Sequence, residues 1–112
     1  MWNFITPQLP VADVEAAQRY YRDVLGFQIA WTREDYGAVI CGTTEIFFAR
    51  SDDPQPGTWC CVRVDDADAL YERYKQRGAV IAQDLESKPW GIREFTLEDP
   101  NGHFFRVGQV LR

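Results

Sequence analysis

One histidine, His103, is all the imidazole this chain of 112 residues carries. Its three cysteines, Cys41, Cys60 and Cys61, form neither a Cys-x-x-Cys pair nor any Cys/His spacing. That removes the usual zinc-binding patterns. Cys60 and Cys61 are adjacent in a strand-like run, so they point to opposite faces and do not bond each other. Reduced, mostly buried thiols are the expectation. No apolar run approaches the roughly 20 residues that span a bilayer, so no membrane partner is expected. The opening MWNFITPQLP has no basic or apolar leader region, which points to the cytoplasm. The basic residues are scattered and the net charge is −5. No nucleic-acid partner is expected, because that binding needs a positive stripe. An acidic surface repels polyanions and attracts cations. Low-complexity segments are also lacking.

What remains is an ordinary globular composition, 46% hydrophobic and 14% aromatic, in a length suited to one domain. The two halves echo each other. VADVEAAQRYYRDVLGFQI (11–29) resembles VDDADALYERYKQRGAVI (64–81), with Asp13 matching Asp66 and Gly26 matching Gly78. A repeat at such spacing implies one supersecondary unit used twice. We therefore expect a single domain of two modules, about 1–51 and 58–112, joined by the linker DDPQPG (52–57).

Each module reads as β, α, β, β, β. NFITPQL (3–9) and TWCCVRV (58–64) have strand composition. Asp13 and Asp66 suit the N-cap position, where a carboxylate accepts from first-turn amides. Val14, Ala17, Tyr21 and Val24 share one helical face, as do Ala67, Leu70, Tyr71 and Tyr74. Gly26 and Gly78 suit left-handed helix stops. FQIAWTR (27–33), GAVICG (37–42) and TEIFFAR (44–50) follow in the first half; AVIAQ (79–83), IREFTLE (92–98) and HFFRVGQV (103–110) follow in the second. The expected fold class is α+β: a tandem βαβββ repeat whose two curved mixed sheets form a cleft. Each sheet has one face covered by its helix and one bare, so a dimer is expected as well.

Two segments carry a family resemblance. PVADVEAAQRYYRDVLGF (10–27) and DPNGHFFRV (99–107) resemble the signatures of the vicinal oxygen chelate superfamily, which includes glyoxalases, extradiol dioxygenases, fosfomycin-resistance enzymes and bleomycin-resistance proteins. The resemblance implies metal ligands seven residues before each capping Asp and in the last strand. Those positions hold Thr6, Trp59 and Arg106. None suits a divalent cation, and a guanidinium repels one. His103 lies at the wrong parity to share a face with Arg106 and reads as a turn-edge residue. We expect no metal and no other cofactor.

PWGIREFTLEDPNG (89–102) resembles most closely the bleomycin-resistance group, and LPVAD (9–13) and FFAR (47–50) agree with it. The resemblance implies a homodimer that holds flat drugs in interface grooves and sequesters them unmodified. It implies that Trp90, on its Pro-Trp-Gly bend, stacks on the guest, with Gly91 and Arg93 beside it. Tyr36 would supply a second ring from the turn between FQIAWTR and GAVICG, and Glu34 and Asp35 would favour a positive ligand. Strand parity adds Trp59 and Arg63, and Phe104 and Arg106, to the face away from the helix; Cys60, Val62, Phe105 and Val107 face the helix. The two arginines suit an anionic or carbonyl-bearing ligand better, unless Glu45 or Glu94 neutralises them. The expected function is a metal-free binding protein for a planar small molecule, a bleomycin-type antibiotic being the leading candidate. The alternative is a metal-independent or atypical glyoxalase- or dioxygenase-like enzyme acting on a small carbonyl or conjugated substrate. Glu45, Glu94, His103 and Cys61 are its reactive candidates, and no pair of them has a catalytic spacing. The balance is against an enzyme.

Overall fold

The structure, a computed structural model, describes residues 1–53 and 57–112. Of the expected linker, Pro54, Gln55 and Pro56 lie outside the described residues. The chain divides into two compact units, Met1–Gln55 and Pro56–Arg112. In the first, β1 (Gln8–Val11), α1 (Val14–Asp23), β2 (Gln28–Arg33), β3 (Tyr36–Cys41) and β4 (Thr44–Arg50) follow in order. The second repeats the plan with β5 (Trp59–Arg63), α2 (Ala67–Gln76), β6 (Val80–Ser87), β7 (Ile92–Glu98) and β8 (Phe104–Val110). The sheets run β1-β4-β3-β2 and β5-β8-β7-β6. In each, the first strand pairs in parallel with the last, and the other pairings are antiparallel.

The repeated signals act as the sequence implied. The Asp13 carboxylate accepts from the Ala16 amide at 3.0 Å, and that of Asp66 from the Ala69 amide at 3.0 Å. Each satisfies one of the free first-turn donors of its helix. Gly26 and Gly78 end the helices at φ 83° and 85°, a backbone state that side chains disfavour. α1 buries Val14, Ala17 and Tyr21 against Val39, Ile46 and Phe48, and the Tyr21 and Phe48 rings meet edge-on at 4.8 Å. In the second unit Tyr71 and Tyr74 of α2 pack on Phe95 at 5.1 and 6.4 Å, beside buried Leu97, Phe105 and Val107. Burying each such side chain contributes roughly 1.5–3 kcal/mol.

Local expectations shift in five places. The first strand starts at Gln8, not at Asn3, and Met1–Ile5 is exposed outside any ladder. β1 pairs with β4 only from Gln8 to Val11, so this ladder does not extend to the residues before Pro7. Val24 is the C-cap of α1 and only half-buried; Leu25 takes the core position. β3 begins at Tyr36, leaving Glu34 and Asp35 as a two-residue turn with Asp35 at φ 58°. β6 runs on to Ser87, paired to β7 through two register irregularities. Finally, Cys41 and Cys61 are exposed and Cys60 half-buried, where buried thiols were expected; all three are free. Cys41 ends its strand, and Cys61 lies on the face away from α2.

No described helix is long and apolar enough to cross a membrane.

Candidate functional site

The covered face of each sheet is core, so the chemistry belongs to the other face and to the turns. In the second unit β5 contributes Trp59, Cys61 and Arg63 to that other face. β8 contributes Phe104, Arg106 and Gly108 in register with them. Trp59 and Phe104, direct cross-strand partners, stack with centroids 4.5 Å apart and planes 14° from parallel. Trp59 remains 59% exposed. Arg106 donates from Nη2 to Glu94 Oε1 at 2.9 Å, and Glu94 is almost wholly buried. The hydrogen bond and the charge of Glu94 both raise the Arg106 pKa further above its ordinary value. Glu94 is thus the acid that neutralises Arg106. Glu45 stands in the first unit, opposite Ile40 on β3.

Trp90 occupies a turn built to hold it out. Pro89 sets the first central position, and the Gly91 amide donates to the Lys88 carbonyl at 3.1 Å. Gly91 sits at φ 82°, and its own carbonyl accepts from the Leu111 amide at 2.9 Å. The indole is 60% exposed and touches no other ring among the described residues. The Lys88 ammonium lies 6.0 Å from its centroid and is also bonded to Glu86.

Arg93 is placed differently from the expectation of a guest contact. It forms a two-pronged bond with Asp68 in the first turn of α2, both distances 2.9 Å, and reaches Ser87 Oγ at 3.2 Å. The bond lowers the Asp68 pKa below the ordinary carboxylate value. Arg93 therefore ties β7 to α2.

In the first unit the bare face gathers Trp31, Tyr36 and Phe47, with centroids 5.2 to 5.7 Å apart. Tyr36 belongs to this cluster and donates its hydroxyl to Gln8 Oε1 at 3.0 Å. It is a strand residue with neighbours on several sides, not a ring standing free on a turn. Glu34 and Asp35 border an open hollow of about 340 Å³ together with Asp13, Glu15, Arg33 and Arg50. Arg50 approaches Asp35 at 3.9 Å, so the acids there do not act alone.

The expected metal positions hold groups of another kind. Thr6 offers a hydroxyl, Trp59 an indole committed to stacking, and Arg106 a cation bonded to Glu94. This donor set does not fit a divalent ion. Among the described residues no group of three His, Cys, Asp or Glu side chains is arranged to hold one. Of the four reactive candidates, Glu45 belongs to the first unit, while in the second Cys61 lies across from Arg106, to which Glu94 is bonded. His103 is buried and its Nδ1 accepts from the Thr58 amide at 3.0 Å, a structural bond that sequence parity missed. Burial, and secondarily Cys61, pushes the Cys60 thiol pKa up.

The model for the glyoxalase/bleomycin resistance protein/dioxygenase superfamily matches residues 3–107. The chain belongs to that superfamily. It is 25% identical to the bleomycin resistance protein of Geobacillus stearothermophilus, covering 95% of this chain and 96% of that one. Among solved structures, TioX from Micromonospora sp. ML1 superposes with a TM-score of 0.87 at 23% identity, covering 98% and 100% of the two chains. A bleomycin-binding protein complexed with bleomycin superposes with a TM-score of 0.83 at 27% identity, covering 96% and 98%. Within this superfamily the fold hosts many activities, so function has to be argued from the residues.

Proposed function

We propose that this superfamily member binds a planar small molecule and sequesters it unmodified, acting as a homodimer. Bleomycin-type antibiotics are the first ligands to try, because full-length relatives include proteins named for resistance to bleomycin and for binding it. The observation that carries the reading is Trp90. A turn fixed by Pro89, by the left-handed Gly91 and by the Leu111 amide holds a large flat ring in solvent. Such preorganisation lowers the entropy lost when a guest stacks on it. A heteroaromatic on the indole gains about 0.5–1.5 kcal/mol beyond area burial. The Trp59–Phe104 pair, with its indole exposed, offers a second flat surface of the same kind.

Titration with bleomycin, followed by tryptophan fluorescence, tests this. Quenching at micromolar drug is expected, with most of it lost in Trp90→Ala and the drug recovered unchanged in mass. Absence of quenching would remove the drug, and full quenching in Trp90→Ala would remove the role of that ring.

A further inference from the structure

We propose that the face of the second unit opposite α2 selects planar guests that carry an acid group. The inference rests on the reading of the protein as a binder of planar molecules and adds the sign of the guest's charge.

Three rows of residues define that face. The Trp59–Phe104 stack forms a ledge with much of the indole open to solvent. Two residues along each strand, roughly 7 Å away, come Cys61 and Arg106. Two residues further come Arg63 and Gly108. The side chain of Arg63 is exposed, and among the described residues it makes no hydrogen bond or ion pair. Its Nη1 lies 3.3 Å from where a Cβ on Gly108 would stand, so the guanidinium extends over β8 at the glycine. A side chain at 108 would also meet Ile92 Cγ2 at 2.7 Å. Glycine there keeps the arginine's path clear.

The charges do not balance on this part of the face. Arg106 is matched by Glu94, and Arg63 by nothing. Arg63 also borders an open hollow of about 550 Å³, whose other charged linings are Asp65 and Arg112. Glu98 shares the face in the row of the ledge, directly across from Phe104, and Glu86 lies across from Glu94 and is bonded to Lys88. In a chain of net charge −5, one guanidinium thus stands unmatched on this face, four residues along β5 from Trp59. A free guanidinium offers a fork of donors that fits a carboxylate with two bonds. A cationic guest whose charge reaches the Arg63 end meets like charge, and a neutral one gains the ring contact alone.

Three probes with one ring system separate these cases: naphthalene-2-carboxylate, naphthalene-2-carboxamide and 2-naphthylmethylammonium, each titrated into the whole chain by NMR. The carboxylate is expected to bind at least about tenfold more tightly than the amide, the margin of one charge-assisted bond, and the ammonium most weakly. Arg63→Gln, a change at an exposed residue outside the core, should erase that margin. Trp59→Ala should weaken all three and keep their order. Equal affinities, or a margin that survives Arg63→Gln, would overturn the acid preference and leave the planar-guest reading intact. Bleomycin binding with no naphthalene binding would have the same meaning. If neither bleomycin nor any naphthalene bound, both readings would fall.

Discussion

Gln18 shows how a single polar residue specifies the first unit. It is buried on the core face of α1, where the pattern calls for an apolar side chain. Its amide nitrogen donates to the carbonyls of Trp31 and Ala38, at 2.9 and 3.1 Å. Its oxygen accepts from the Thr32 hydroxyl at 3.0 Å. The Trp31 carbonyl follows the register shift between Ile29 and Trp31, so the glutamine serves a backbone that the ladder leaves irregular. Gln18→Leu keeps the volume and strands those groups. A loss of roughly 1–3 kcal/mol is expected, since buried unsatisfied groups cost about that much, and urea denaturation would measure it. No loss would mean that water replaces the amide. The sequence hid this role because glutamine in a helix is ordinarily a surface residue. Only the bulge, which no local signal announces, explains its burial.

At the scale of elements, the Asp68–Arg93 bond joins the first turn of α2 to β7. The folded-state pKa of Asp68 is depressed, chiefly by the hydrogen bond from Arg93. A depressed carboxylate stabilises the fold above its unfolded pKa, and that contribution is lost as pH falls through the folded pKa. Arg93→Gln should therefore lower the melting temperature at neutral pH. The gap to the parent should close in acid below the carboxylate range. A gap that persists in acid would assign the effect to packing of the arginine stem instead. Element identity was largely legible in the sequence. Asp13, Asp66, Gly26 and Gly78 are local punctuation, and their chemistry acts within a few residues. The alternation of β8 also correctly placed Phe105 and Val107 towards α2 and Phe104 and Arg106 away from it. The start of β1 was not legible, because it depends on where β4 happens to run. The pairing of Arg93 with a helix acid 25 positions earlier is non-local in the same way. So is the bond between His103 and Thr58.

For the whole molecule, the decisive feature is the apolar surface left in water. Met1, Trp2, Phe4 and Ile5 are exposed at the start of the chain, and Trp59 and Trp90 are exposed in the second unit. Scattered exposed apolar residues are normal, but large rings left in water on so small a chain carry a cost that assembly would relieve. The net charge of −5 opposes indiscriminate self-association, so a defined assembly is favoured over aggregation. The proposed homodimer is the simplest such assembly, because closed two-fold contacts use the same patch on both copies. Sedimentation velocity across a range of concentrations should give twice the chain's mass, with dissociation only on dilution. A guest seated between copies would bind the dimer alone and so lower the concentration at which it forms. A single-chain mass at every concentration would reject the dimer. It would also require any ligand surface to be complete within one copy, with Trp59, Phe104 and Trp90 among its available rings.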